Sequence, residues 1–203
     1  INKHYATGLI DGVTTNPTLI RKSGRDPIKV YEELAELGLT DISMEVGGNA
    51  MEMVEQGNKL ATLFGKVATI KVPCTVEGLW VCRELRRNLI NVNVTLIFSA
   101  AQAILAAKAG AKYVSPFVGR VDDNSFDGID LVDQISDIYT IQNIRKTEIL
   151  AASVRDVKTV SDAFGAGAHV VTMPPSILEK MYNHVLTDRG LYQFDLDWAK
   201  VKR

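Results

Sequence analysis

The sequence predicts an α/β fold whose parallel strands form a (β/α)8 TIM barrel, and three observations carry that expectation. Strand-like and helix-like segments alternate in seven units along 203 residues, the pattern of parallel strands joined by helical crossovers. Polar residues recur where the strands end, at Asn16, Glu45, Lys71, Thr95, Ser115 and Ser153. Barrel active sites are built from several strand ends on that one face. A doubly wound sheet would fit the alternation too, but no G-x-G-x-x-G turn follows the opening strand. One strand is missing from a count of eight.

Residues 12–15 (GVTT) read as the opening strand and run into the turn Asn16-Pro17. Residues 27–37 carry helical spacing and stop at Gly38; 41–46 (DISMEV) form the next strand, closed by Gly47-Gly48. A helix over 50–64 leads to the strand 67–72 (VATIKV), and a helix over 75–87 follows with Thr75 as its N-cap. Residues 91–98 (NVNVTLIF) are a strand, and the alanine-rich stretch 99–109 is a helix ending at Gly110. The strand 111–117 (AKYVSPF) enters a loop over 118–127, before a helix over 128–139. Strands at 148–153 and 169–173 alternate with helices at 157–164 and 176–184. A polar connector holding Gly190 then leads to a short amphipathic helix over 194–201.

No low-complexity linker divides the chain, so residues 1–203 are expected to form one barrel domain. A net charge of -1 and a pI near 6.4 give no electrostatic footprint for nucleic acid or an anionic membrane. No apolar run could span a bilayer and no signal-peptide pattern opens the chain. Two cysteines, Cys74 and Cys82, suit free thiols in a reducing compartment, which places the protein in the cytoplasm. His4, His169 and His184 are scattered without metal-ligand spacing, so no metal or other cofactor is expected.

The segment 67–73 (VATIKVP) suits a strand buried on both faces, where a lysine is out of place. Burial disfavours the ammonium ion unless it is paired, and a neutral amine attacks carbonyl carbons to open Schiff-base chemistry. The plain alternative is that Lys71 snorkels to water or meets a carboxylate.

The motifs GVTTNPT (12–18), IKVP (70–73), TVEG (75–78), AKYVSPFVGR (111–120) and LAAS (150–153) occur in order over nearly the whole chain. In these the chain resembles the small transaldolase and fructose-6-phosphate aldolase family. The resemblance implies a metal-free class I aldolase barrel that moves a dihydroxyacetone unit between sugar phosphates. By position, Lys71 is the Schiff-base lysine, Glu45 positions a catalytic water and Thr95 is its partner. Asn16 and Asn93 bind hydroxyls of the donor sugar, with Ser115 and Phe117 lining the same pocket. Arg120, Ser153 and Arg155 hold the substrate phosphate, a role suited to guanidinium forks. Each residue also has an ordinary reading. Glu45 could pair structurally with Lys71, Asn16 could be a turn residue, and Asn93 and Thr95 could be strand residues. Phe117 could fill the core, and the two arginines could be solvated loop charges.

Within the family, glutamate at position 45 matches the transaldolase pattern, where the aldolases carry glutamine. Phe117 stands where the aldolases carry a tyrosine, and a phenyl ring cannot orient water for release of the free ketone. Asn93, Ser115 and Arg155 also match the transaldolases better. The expected reaction is therefore transfer, with free aldol cleavage as the runner-up.

Relatives open with a strand of the form LDTA about a dozen residues upstream of Ile1, and its aspartate takes the proton from the C4 hydroxyl. That strand is absent here, which accounts for seven strands, and Asp11 lies at the opposite end of its strand. The chain also starts on Ile1 rather than methionine, so a shortened sequence is expected. Its missing aspartate leaves a third reading open, a catalytically silent sugar-phosphate-binding protein. Relatives pack the helix at 194–201 on a neighbouring subunit, which implies a homo-oligomer, a pentameric ring or decamer; folding back onto its own barrel is the alternative.

Overall fold

The computed structural model describes residues 1–201. Seven parallel strands pair in strict chain order: β1 (Gly12–Thr14), β2 (Asp41–Glu45), β3 (Ala68–Pro73), β4 (Asn91–Ile97), β5 (Tyr113–Pro116), β6 (Glu148–Ala151) and β7 (Val170–Val171). The helices are α1 (Asn2–Tyr5), α2 (Pro17–Ser23), α3 (Pro27–Glu36), α4 (Ala50–Phe64), α5 (Val76–Arg87), α6 (Ala100–Ala109), α7 (Val118–Asp122), α8 (Gly128–Ile141), α9 (Val157–Gly165), α10 (Pro175–Met181) and α11 (Val185–Val201). The sheet curls so that Thr172, just after β7, comes back to Thr14 of β1, giving a TIM-barrel-like fold. At that seam no ladder joins β1 to β7. A bond between the hydroxyls of Thr14 and Thr172, 2.7 Å apart, bridges it instead. Nearby, Glu179 of α10 lies 3.3 Å from both Lys3 Nζ and His4 Nε2 of α1.

Alternation along the strands is present after all, hidden because both faces are covered. Ile42, Met44, Ile70, Val72, Val92, Val94 and Val114 are fully buried in one apolar core. Their neighbours Ser43, Thr69, Lys71, Asn93, Thr95 and Ser115 are equally buried but polar. Several of these bond across an intervening strand: Asn93 of β4 reaches Ser43 of β2, and Lys71 of β3 reaches Thr15 beyond β1. Bonds that skip a strand run through the inside of a curled sheet. The polar set therefore lines the interior, while the apolar set packs under the helices.

Three segments differ from the sequence reading. Asn16-Pro17 starts α2: Asn16 Oδ1 accepts from Leu19 N at 2.9 Å and Pro17 takes the first helical position, where its missing N–H costs nothing. The expected loop 118–127 opens with α7, a single turn too short to show periodicity, anchored by buried Val118 and Val121. The connector around Gly190 is helical, so α11 runs 17 residues from Val185 to Val201 without a buried residue. Beyond these three, α1 (Asn2–Tyr5) has no counterpart in that reading and the helix expected over 176–184 stops at Met181; the Thr75 cap is as expected, its hydroxyl accepting from Gly78 N at 3.0 Å. Among the described residues, no helix is long and apolar enough to cross a membrane.

Candidate active site

Parallel register places Glu45 of β2, Lys71 of β3 and Asn93 of β4 side by side, because Glu45 pairs with Lys71 and Lys71 with Asn93. The Lys71 side chain is only 7% exposed. Its ammonium lies 2.9 Å from Glu45 Oε2 and donates to the Thr15 carbonyl at 2.9 Å. The contact with Glu45 is an ion pair without hydrogen-bond alignment, for Glu45 Oε2 makes no hydrogen bond to protein. Thr95 Oγ1, at the top of β4, is buried and unpaired as well. An unmatched buried oxygen is costly in a purely structural site. Here such oxygens stand on all three neighbouring strands, Glu45 Oε2 on β2, Thr69 Oγ1 on β3 and Thr95 Oγ1 on β4, and each is able to bond water.

Asn93 is held on both sides. Its Oδ1 accepts from Ser115 Oγ at 2.7 Å, and its Nδ2 donates to Ser43 Oγ at 3.2 Å. The amide is thereby fixed in one orientation, with a second N–H left over to donate. Asn16 follows β1 on the same face, but its carboxamide oxygen is committed to the N-terminus of α2. Thr15, beside it, shares a 3.3 Å contact with the Tyr31 hydroxyl, and burial pushes that phenol above its ordinary range.

The arginines gather at the ends of β5 and β6. Phe117 bridges to Ala152, and Gly119 lies so close to the next loop that a Cβ there would sit 2.3 Å from the Ser153 carbonyl and 2.9 Å from Arg155 Nε. Only glycine permits that approach. Ser153 itself adopts the left-handed region at φ 62°. The Arg120 guanidinium rests 4.8 Å over the Phe117 ring, which in turn meets Phe98 edge-on at 5.8 Å. Arg155 is bidentate to Asp123, and this hydrogen-bonded pairing holds the Asp123 carboxyl below its usual range. A groove of about 520 Å³ opens beside Arg120, walled by Phe98, Asn124, Phe126 and Gln134.

The structure thus brings Lys71, Glu45, Thr95, Asn93 and Ser115 into one interior cluster, and Arg120, Ser153, Arg155 and Phe117 into another. Asn16 stands at the rim. Sequence reasoning passed over Thr15, Ser43 and Asp123. Ser43 had a signal, since it lies two residues before Glu45 and so shares its face. Neither cysteine competes as a nucleophile: burial raises the Cys74 thiol and pushes Cys82 up to about 12. Among the described residues, no group of three His, Cys, Asp or Glu side chains could hold a metal ion.

Comparison with known proteins bears on the chain as a whole. A "Probable transaldolase" of Paracoccus denitrificans (strain Pd 1222) is 50% identical over 195 residues, covering 96% of this chain and 89% of that relative. One of the same name from Caulobacter sp. (strain K31) is 52% identical over the same shares. In three dimensions the chain is similar to a mandelate oxidase variant crystallised with 2-hydroxy-phenylacetamide, with a TM-score of 0.54 and 14% identity, over 70% of this chain and 51% of that one. That last likeness concerns the fold alone. The sequence pattern of the transaldolase/fructose-6-phosphate aldolase family matches residues 1–202, and the chain belongs to that family.

Proposed function

We propose that this protein is a transaldolase that moves a dihydroxyacetone unit through a Schiff base on Lys71. Sedoheptulose 7-phosphate and glyceraldehyde 3-phosphate would give erythrose 4-phosphate and fructose 6-phosphate. The observation that supports it most is the buried Lys71 ammonium against the Glu45 carboxylate, with a further unpaired buried oxygen on Thr95. The names of the half-identical relatives point the same way.

In this reading Glu45 takes a proton from Lys71, and the neutral amine attacks the ketose C2. The carbinolamine loses water to give an iminium ion, with Glu45 and Thr95 holding the water that carries protons in and out. As the C4 hydroxyl gives up its proton, a role the family resemblance assigns to an aspartate on a strand upstream of Ile1, the C3–C4 bond breaks, the first aldehyde leaves and an enamine remains. The enamine attacks the acceptor aldehyde, and hydrolysis then frees Lys71. Asn93, set by Ser43 and Ser115, and Asn16 at the rim hold donor hydroxyls. Arg120, Ser153 and Arg155 grip the phosphate, and that remote binding orients the reacting carbonyl. Phe117 gives the pocket a wall without a hydroxyl, which favours keeping the three-carbon unit until an acceptor arrives.

Borohydride reduction in the presence of fructose 6-phosphate, followed by mass mapping, tests the chemistry. A sugar-derived adduct on the Lys71 peptide, absent in Lys71→Ala, is the expected result. Product formed only with an acceptor aldehyde marks a transaldolase; dihydroxyacetone released without one marks a fructose-6-phosphate aldolase. A folded protein that binds fructose 6-phosphate yet gives no adduct would be the silent binding protein instead. The setting we propose is carbohydrate metabolism in the cytoplasm, of the pentose phosphate type, by a homo-oligomer joined through α11.

A further inference from the structure

The phosphate grip proposed above contains an anion of its own. Asp123 directly follows α7, and both of its carboxylate oxygens accept from the two terminal nitrogens of Arg155. The pair is half exposed, at 53% for Arg155 and 46% for Asp123. An ion pair at that exposure is screened by water and held only weakly, so it can be exchanged. A phosphate dianion offers the same bidentate geometry with a second negative charge, and Arg120 is near enough for its charge to act on Asp123 as well.

We infer that Asp123 is an exchangeable counter-anion that holds Arg155 until the substrate's phosphate displaces it, which makes the site selective for dianionic ligands. This rests on Arg155 being part of the phosphate grip. An uncharged sugar end cannot replace the carboxylate, and a single charge only breaks even against it. A dianion gains. Asp123 therefore sets a threshold of charge that a ligand must exceed, and it is a specificity residue rather than a catalytic one. Gly119 supports the exchange by keeping the loop of Arg155 and the turn of Asp123 in contact without an intervening side chain.

Calorimetric titration with inorganic phosphate tests this on the full chain, comparing wild type with Asp123→Asn, Asp123→Glu and Arg155→Gln. With the competing charge removed, Asp123→Asn should bind phosphate two- to tenfold more tightly, while Asp123→Glu stays near wild type. Arg155→Gln should weaken binding at least tenfold. Weaker binding by Asp123→Asn would overturn the inference and make Asp123 a strut for the arginine. Unchanged binding by Asp123→Asn would overturn it too. If Arg155→Gln binds as wild type does, the phosphate grip itself fails, a result separate from either outcome at Asp123. Because both side chains stand half in water, circular dichroism of the variants should match wild type.

Discussion

Lys71 and Glu45 show how a single misplaced residue type announces a site. A lysine inside a β-branched run needs a partner, and the register of β2 against β3 supplies one 2.9 Å away. Removing one member leaves the other charge buried and unpaired. Glu45→Gln should therefore lower stability by about 3 kcal/mol, read from the urea midpoint, and Lys71→Met in the same chain should recover most of the loss. If the single and double variants are equally unstable, the two charges are not coupled. The same Glu45→Gln should slow turnover by about 10²–10⁴, the usual scale for a lost proton shuttle, as steady-state assays with donor and acceptor would show. Lys71 was legible in the sequence because its chemistry is anomalous for a buried strand, and Glu45 as a polar strand end given a role by the family resemblance. Thr15, Ser43 and Asp123 were not. A carbonyl, a strand serine and a loop aspartate are ordinary until the fold places Lys71, Asn93 and Arg155 beside them.

Among the elements, β2 and β5 are tied across the barrel by charge. Lys112 Nζ lies 2.7 Å from Asp41 Oδ2, which also accepts from the Tyr113 hydroxyl at 3.1 Å, and the ammonium sits 4.7 Å over the Tyr113 ring. Burial alone would lower the lysine, but its bonds to Asp41 and Tyr113 outweigh that and raise it above 10.5. Burial likewise raises Tyr113 above 10.0. Both groups are thus held protonated by folding. Their stabilisation is complete below about pH 10 and fades as the pH climbs through the raised folded values. Melting temperature should fall more steeply above pH 10 in wild type than in Lys112→Met; parallel curves would show that the clasp is idle. Helix ends depend on simpler chemistry. The reciprocal bonds of Asn49 and Glu52 at the start of α4 predict a loss of about 1 kcal/mol for Asn49→Ala in chemical denaturation. Such caps explain why most helix starts could be read from the sequence. The helix α7 could not, because five residues carry too little pattern, and α2 was obscured because Asn-Pro begins turns and helices alike.

For the whole molecule, the parallel α/β architecture followed from counting alternations, but the hydroxyl bridge that meets at the seam did not. Chain geometry in three dimensions decides such closure, and no local pattern encodes it. The surface is also larger than a lone barrel needs. A compact monomer of 22.3 kDa exposes about 9,400 Å², whereas this chain exposes 12212 Å². Part of that exposed surface is α11, where Leu191, Tyr192, Phe194 and Trp198 all face water, Trp198 at 61%. An apolar helix so exposed fits a subunit contact. Trp198→Asp with Phe194→Asp should then reduce the mass seen by light scattering to that of one chain, while an unchanged mass would refute the proposed contact. The strict chain order of the strands governs how the molecule assembles. Every backbone ladder joins strands adjacent in sequence, so pairing can spread from one neighbour to the next with short loops to close. The contacts at the seam must instead close over 158 residues at Thr14–Thr172 and over 176 at Lys3–Glu179. Amide exchange should therefore be fastest at β1 and β7 and slowest at the fully flanked β3 and β4. That result would mark the seam as the first contact released by a native-state fluctuation, and equal exchange at the edge and central strands would refute it.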